Sequence, residues 1–472
     1  MDILHSAYNP EHFREQGHAL INLLADYLTD AQSSRPSLPV IPWRAPDEQY
    51  KHWKTFLASP GSPDDFFEKI LNDSIHLHQS RFMGHQVCPP APLSALAGLL
   101  GGLLNNGMAV YEMGGPATAI ERLLIEKTAQ VLGFDARQAG GFLTSGGTLA
   151  NLTALLAARS RYAGAHVWKD GHQKPLALMV SAEAHYCVDR AARIMGWGDA
   201  GIIKVPVNER FQMRTDLLEM LYRQALEQGV EVIAVVGSAC STSTGSFDDL
   251  AAIGRFCHSR NLWFHVDGAH GAALAFSRQH RAVLAGIETA DSVALDYHKM
   301  LMTPALTTAV VFRQDADSYG TFSQQAQYLF GETEREWYNV AKRSFECTKL
   351  MMSIKAYSLL YTYGETLFEN YVDQVMENGR IFAAMIEAQP QWELAVQPQC
   401  NIVCFRHAPP GLSAEATDEH NLRIRRRILE DGRFYIVQTA INGHTWLRVT
   451  LTNPFTSAVE MEELLLFCEA KN

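Results

Sequence analysis

Five short segments carry residue types that can do chemistry together, and each follows a β-like run. Thr144 leads into Ser145-Gly146-Gly147-Thr148, and then Leu149, Leu152, Leu155 and Leu156 recur at helical spacing. A glycine-rich turn that opens a helix offers unpaired N–H groups and a positive dipole end, and neighbouring hydroxyls add donors, which suits a phosphate. The run 176–181 is followed by Ala184-His185-Tyr186, a histidine at a strand–helix junction. The run 231–237 leads into Ser238 to Gly245, a hydroxyl-rich loop that contains Thr242. The run 262–266 ends on Asp267, within His265-Val266-Asp267-Gly268-Ala269-His270. A carboxylate at the end of a buried strand is costly unless a cation or a ligand meets it. The run 291–295 ends on Asp296-Tyr297-His298-Lys299. A lysine bounded by apolar sequence is expected to be partly desolvated, with a lowered pKa and a sharper nucleophilicity.

Taken singly, each segment has a plainer reading. Ser145 to Thr148 is also a helix cap, His185 a structural histidine, 238–245 a solvated turn and Lys299 a surface lysine. His265, Asp267 and His270 compose a metal set only if a turn brings the third residue round, and no metal is expected. The chain has neither G-x-x-x-x-G-K-[ST] nor G-x-G-x-x-G, so the phosphate motifs of nucleotide binders are missing. In chain order, however, a phosphate cradle, a planar ring, a buried carboxylate and a lysine fall at one sheet edge. Pyridoxal 5′-phosphate needs that set: donors for its phosphate, an anion that keeps its ring nitrogen protonated and an amine for its aldehyde.

The elements that must position these residues are legible as alternation. Runs 141–144, 176–181, 201–206, 231–237, 262–267, 291–295 and 307–312 are β-rich, and several are apolar without a polar face, as strands covered on both sides are. Helical stretches separate most of them, which predicts a mostly parallel seven-stranded sheet with helices on both faces. Ligands in such sheets bind beyond the carboxyl ends of the strands. The first 80 residues are expected to be helical: Leu20, Ile21, Leu23, Leu24 and Tyr27 share a face, a proline-rich connector follows at 35–46, and 64–77 is again helix-like. The stretch 92–104 is expected as a buried helix or turn. A long helix at about 344–369 is expected to lead into a small α+β part with strands at 401–406, 434–439 and 445–451 and helices at 416–431 and 457–470. The boundaries predicted are 1–80 for the helical segment, 81–369 for the large α/β domain and 370–472 for the small domain.

Bulk properties narrow the class. The chain has 472 residues, 47% of them hydrophobic and 19% charged, an ordinary globular composition. The formal charge of −11 disfavours nucleic acid or an anionic membrane as partner. The N-terminal residues have no basic stretch ahead of an apolar run, and no apolar stretch is long enough to span a bilayer, so a cytoplasmic protein is expected. Eight scattered cysteines without a C-x-x-C predict reduced, mostly buried thiols.

On these residues the chain resembles the group II pyridoxal-phosphate-dependent amino acid decarboxylases, of fold type I (aspartate aminotransferase-like). HVDGAH (265–270) followed by DSVALDYHK (291–299) is the most specific match, with TSGGTLANLTALLAAR (144–159), SAEAHYCVDRAAR (181–193) and STSTGSFDD (241–249) beside it. The resemblance implies that Lys299 binds the cofactor's aldehyde, Asp267 partners the ring nitrogen, His185 stacks on the ring and Ala269 packs on its other face. It implies phosphate contacts from Gly147, Thr148 and His298, with Ser145 also at the cofactor and Thr242 close by. Arg448 is implied near the substrate carboxylate, and Tyr328 and Tyr338 are the candidates for a loop tyrosine that reprotonates the product carbon, a role His185 could also fill. It further implies a homodimer with active sites at the interface, clasped by the helical first 80 residues. The segment HQSRFMGHQ (78–86) resembles the diamino-acid branch, especially the siderophore-associated decarboxylases. L-lysine, giving cadaverine for a hydroxamate siderophore, is therefore the expected substrate, with Glu112 as a candidate for its side-chain amine. Ornithine, 2,4-diaminobutyrate and aromatic amino acids are the alternatives. An aldol-type lyase, an aminotransferase and a catalytically silent scaffold fit the motifs less well.

Overall fold

The computed structural model describes residues 2–164, 166–322 and 336–470. Its contacts separate two compact units. One holds Gln86–Arg380 with Val396–Val403; the other holds the chain up to His85, Ile381–Ala395 and the chain from Cys404 onward.

The larger unit is built on a seven-stranded sheet. Its strands are β1 (Gly140–Thr144), β2 (Leu176–Ser181), β3 (Ile202–Val205), β4 (Glu231–Ser238), β5 (Trp263–Asp267), β6 (Ser292–Asp296) and β7 (Thr308–Phe312). All seven coincide with the apolar runs, within two residues at each end. The order across the sheet is β1-β7-β6-β5-β4-β2-β3. The β2/β3, β2/β4, β4/β5 and β5/β6 pairs are parallel, and β7 runs antiparallel to both β1 and β6. Every residue of β1, β2, β5, β6 and β7 is buried, the reason these runs show no polar alternation. The Gly147–Ala163 helix crosses one face and presents small residues there. Ala150, Ala154, Ala157 and Ala158 are all buried, which lets the helix sit close above Val180, Val236 and Trp263. Parallel register then sets the site's floor: Ser238 on β4 pairs with Asp267 on β5, and Asp267 pairs with Ala294 on β6.

Two helical expectations change. The stretch 92–104 is a helix, Pro92–Leu104, but only Ser94 in it is buried. Leu96, Leu99, Leu100, Leu103 and Leu104 are between 47% and 64% exposed. An all-apolar sequence signals burial but does not say against what. The helix expected at 344–369 begins only at Ser353 and stops at Tyr363. Gly364 adopts φ +70, a left-handed conformation open to glycine, and a separate helix, Glu365–Glu387, follows.

After a short first helix, Ile3–Ala7, the smaller unit continues with helices Pro10–Ala31, Pro46–Phe56 and Pro63–Asn72, each of these three with proline in its first turn. Asn9 caps Pro10–Ala31, and Ser62 with Asp65 forms a capping box on Pro63–Asn72. Only Ala31 of Pro10–Ala31 is buried. A four-stranded sheet of order β10-β11-β9-β8, with the β10/β11 and β8/β9 pairs antiparallel, follows late in the chain. Its strands are β8 (Trp392–Leu394), β9 (Ile402–His407), β10 (Val437–Ile441) and β11 (His444–Thr450). The short β8 went unpredicted, being too brief for a periodic signal. The helices Ala414–Asp431 and Ala458–Glu469 match the expected ones. None of the eight cysteines is in a disulfide, and seven are buried. No described helix is long and apolar enough to cross a membrane.

Candidate active site

A cavity of about 250 Å³ opens at the carboxyl ends of β4, β5 and β6. Ser145, Gly147, Thr148 and Thr242 line it, as do His185, Asp267, Ala269, His298 and Lys299. Nine residues scattered over 155 positions of sequence are brought together because each ends or follows a strand of one sheet.

The phosphate-like corner is the start of the Gly147–Ala163 helix. Gly146 precedes it at φ +120, a conformation that suits glycine, and no side chain caps the helix. The N–H groups of its first turn therefore face the cavity. A Cβ on Gly147 would come within 3.4 Å of the Ala269 Cβ and 3.3 Å of Asp296 Oδ1, so the backbone approaches closely here. His298 stands across from it. Its Nδ1 accepts from the Thr307 N–H at 3.2 Å, and its Nε2 lies 3.7 Å from Asp296 Oδ2. In the 241–246 loop the hydroxyls of Ser241, Thr244 and Ser246 bond one another at 2.8 and 2.9 Å, while Thr242 reaches the cavity.

His185 caps the Tyr186–Ile194 helix, and its Nδ1 accepts from Cys187 N at 3.4 Å. Burial holds its imidazole below the usual range, against the opposing pull of Asp267. The ring is accordingly neutral near pH 7. Asp267 ends β5 with 9% exposure, and one oxygen accepts from Ala269 N at 3.3 Å. Beneath it a buried network fixes the strand. Trp263 Nε1 donates to Ser292 Oγ at 2.9 Å. His265 pairs with Ser292 Oγ and with Asn151 Oδ1, both at 2.8 Å, and Asn151 Nδ2 donates to Cys187 Sγ at 3.1 Å. Burial brings the His265 imidazole down to about 4, despite Asp267 nearby. Both of its ring nitrogens are committed, which removes it as a metal ligand. His270 Nε2 is likewise hydrogen-bonded, to Asn401 Oδ1 at 2.9 Å.

Lys299 lies in the short helix Tyr297–Met300, and its charge state differs from the expectation. Its Nζ is 3.0 Å from Asp296 Oδ2. Burial pulls the amine down, but the carboxylates of Asp296 and Asp267 outweigh burial, so its pKa is raised. Apolar flanks described the desolvation correctly and missed the partner. Asp296, 1% exposed and also holding the Thr308 hydroxyl, is the chief residue that sequence reasoning passed over. Its signal was the one used for Asp267: a carboxylate closing a buried strand. Gln86, Asn151 and Cys240 also line the cavity and had no local signal.

Three further candidates fall elsewhere. Glu112 is exposed in the first turn of the Tyr111–Val131 helix. Tyr338 packs its ring against Tyr111 with centroids 5.8 Å apart. Neither lines the cavity. Arg448 sits on β11 of the other unit, buried, with Nη2 3.3 Å from Thr450 Oγ1. Tyr328 lies outside the described residues.

A cavity with phosphate donors, a flat neutral ring, a buried anion and an amine fits pyridoxal 5′-phosphate part by part. Comparison with known proteins agrees. The family model described as the pyridoxal-dependent decarboxylase conserved domain matches residues 67–408. An L-2,4-diaminobutyrate decarboxylase of Acinetobacter baumannii is 30% identical over 415 residues, 84% of this chain and 81% of its own. An L-aspartate decarboxylase, dtxS4, of Metarhizium robertsii is 30% identical over 362 residues, 76% of this chain and 72% of its own. The crystal structure of mouse CSAD superposes with a TM-score of 0.90 at 24% identity, covering 98% of this chain and 99% of that one.

Proposed function

The chain belongs to the pyridoxal-dependent decarboxylase family, and from that premise we propose that its substrate is a basic L-amino acid and that Lys299, Asp267 and His185 are its working residues. It is a fold-type-I enzyme that removes the carboxyl group of an amino acid with pyridoxal 5′-phosphate. When bound, that cofactor supplies a ring that takes up the electron pair left as carbon dioxide departs.

The residues divide the work. Lys299 would hold the aldehyde. Asp267 would hold a proton on the ring nitrogen, and its burial would keep that charge pair strong. His185 and Ala269 would hold the ring between them. The backbone at Gly147 and Thr148, with Ser145, Thr242 and His298, secures the phosphate end. Reprotonation of the substrate carbon falls to His185, which lines the cavity, or to Tyr328. The observation that carries this reading is the convergence of Lys299, Asp267 and His185 on one cavity beside an uncapped helix start.

The choice of a basic side chain rests on the 78–86 segment, since the carboxylates in the cavity lining are taken, Asp296 by Lys299 and Asp267 by the ring nitrogen. The relative named for L-2,4-diaminobutyrate supports the diamino class; the one named for aspartate supports the acidic reading. Within the diamino class L-lysine, giving cadaverine, is our first choice on the 78–86 segment. Ornithine and 2,4-diaminobutyrate follow, because one methylene in a pocket is worth only about 1–3 kcal/mol. The deciding experiment offers the holoenzyme L-lysine, L-ornithine, L-2,4-diaminobutyrate, L-aspartate and L-tyrosine, with carbon dioxide and amine measured. Diamino acids are expected to give the highest kcat/KM. A higher value for aspartate or tyrosine would overturn the assignment.

We also infer a homodimer. The exposed leucine face of Pro92–Leu104 and the sparsely buried Pro10–Ala31 helix are apolar surfaces that a second copy would cover.

A further inference from the structure

Asp296 sits where two requirements collide. Its carboxylate is buried at the end of β6, with Thr308 Oγ1 donating to Oδ1 and Lys299 Nζ 3.0 Å from Oδ2. A Cβ on Gly147 would stand 3.3 Å from Oδ1 and 3.4 Å from Oδ2, so the same carboxylate faces the first turn of the Gly147–Ala163 helix. That turn is the phosphate corner. One helix end therefore serves two anions, and like charges at close range cannot both persist cheaply in a buried site. Meanwhile an aldehyde carbon is attacked by a neutral amine, and the ion pair keeps Lys299 charged.

We propose that Asp296 is the internal proton acceptor for Lys299, and that a phosphate arriving at the start of the Gly147–Ala163 helix drives the transfer. This rests on the reading that Lys299 takes the cofactor. In the step an N–H bond of Nζ breaks and an O–H bond forms on Oδ2. A pair of opposite charges becomes two neutral groups, and no proton is exchanged with solvent. The phosphate's negative charge raises the proton affinity of Asp296, and a neutral Asp296 no longer repels the phosphate. The freed amine then adds to the aldehyde carbon, and the aldehyde oxygen leaves as water.

The other titratable groups around the pair are accounted for. Asp267 of β5 faces Lys299 as a second carboxylate, but its Oδ1 is held by the Ala269 N–H and the short contact to Nζ belongs to Asp296. Cys187 is held protonated, its thiol pushed up to about 12 by burial, and Cys240 stands in the same field. His185 uses Nδ1 to accept from Cys187 N, and His298 uses Nδ1 to accept from Thr307 N, leaving its Nε2 beside Asp296.

The test strips the full chain of cofactor and mixes it with pyridoxal 5′-phosphate at several values between about pH 7 and 9. The visible absorbance change that accompanies capture by the amine is followed. With transfer inside the site, the wild-type rate stays flat over this range. A lysine that must first lose its proton to water, as in Asp296→Asn, speeds up about tenfold per pH unit below its pKa. Pyridoxal, which lacks the phosphate, is expected to show that climb even with the wild type. A climbing wild-type rate with pyridoxal 5′-phosphate overturns the proposal, and this needs no variant to fold. A flat rate in Asp296→Asn overturns the role of Asp296, and a flat rate with pyridoxal overturns the role of the phosphate. Borohydride fixation and peptide mapping separately identify the lysine; label on a residue other than Lys299 would sink the underlying reading instead.

Discussion

Removing one charge from the pair behind β1 should cost more stability than any single change at the surface. β1 is an edge strand, so its outward N–H and C=O groups lack a strand partner. At Leu143 side chains replace the strand. Glu121 Oε1 accepts from Leu143 N at 3.1 Å, and Lys349 Nζ donates to Leu143 O at 2.8 Å. Lys349 and Glu121 also bond each other, with 7% and 3% exposure. Burial lowers the lysine's pKa, opposed by Glu121. Lys349→Met then leaves a buried carboxylate without its cation and a carbonyl without its donor. Breaking one side of such a pair costs about 3–5 kcal/mol, a large part of a total near 5–15 kcal/mol. Adding Glu121→Gln removes the stranded charge while keeping an acceptor for Leu143 N. The double variant should therefore be more stable than the sum of the single effects by at least about 2 kcal/mol. Urea midpoints and slopes for the four proteins, at one protein concentration, measure the cycle. If Lys349→Met stays within about 1 kcal/mol of wild type, or the effects simply add to within about 0.5 kcal/mol, the reasoning is wrong. Because Leu143 lies two residues before Ser145, the single variant should also bind the cofactor less tightly.

Lys299→Ala should retain no borohydride-fixable cofactor and lose at least about a hundredfold in turnover; wild-type turnover would refute its role. Asp73 gathers Arg44, His52 and Lys69 at 3.1, 2.8 and 2.8 Å. Burial pushes its carboxyl up, but the hydrogen bonds from Lys69, His52 and Arg44 win and hold it at about 2. A folded pKa below the unfolded one stabilises above about pH 4 and stops doing so as pH falls through about 2. Asp73→Asn should thus cost about 1 kcal/mol near neutrality and nothing in strong acid; a pH-independent difference in urea midpoint would contradict this. Leu103→Glu, on the exposed leucine face, should convert the proposed dimer to monomer by light scattering, and an unchanged mass would remove that face from the interface.

Local pattern carried most of the large unit. A strand buried on both faces must be apolar throughout, so β1 to β7 were visible as runs, and the residues closing those runs were visible as site candidates. Asp267, His185, Lys299 and the Ser145–Thr148 turn meet because parallel strands deliver their carboxyl ends to one edge, a rule of topology that needs no coordinates. What depended on distance through space was hidden. The upward pKa of Lys299 follows from Asp296 and Asp267 at its side, and apolar neighbours along the chain predicted the opposite sign. The Pro92–Leu104 helix announced its hydrophobicity but not its exposure, since periodicity reports a face and not what covers it. Gly364 breaks a helix that composition alone would continue, because the left-handed turn there is a property of the folded path. The order of chemical groups is thus written along the chain, while their charges and partners are set by contacts between residues far apart in it, where burial and Coulomb attraction compete at a few ångströms.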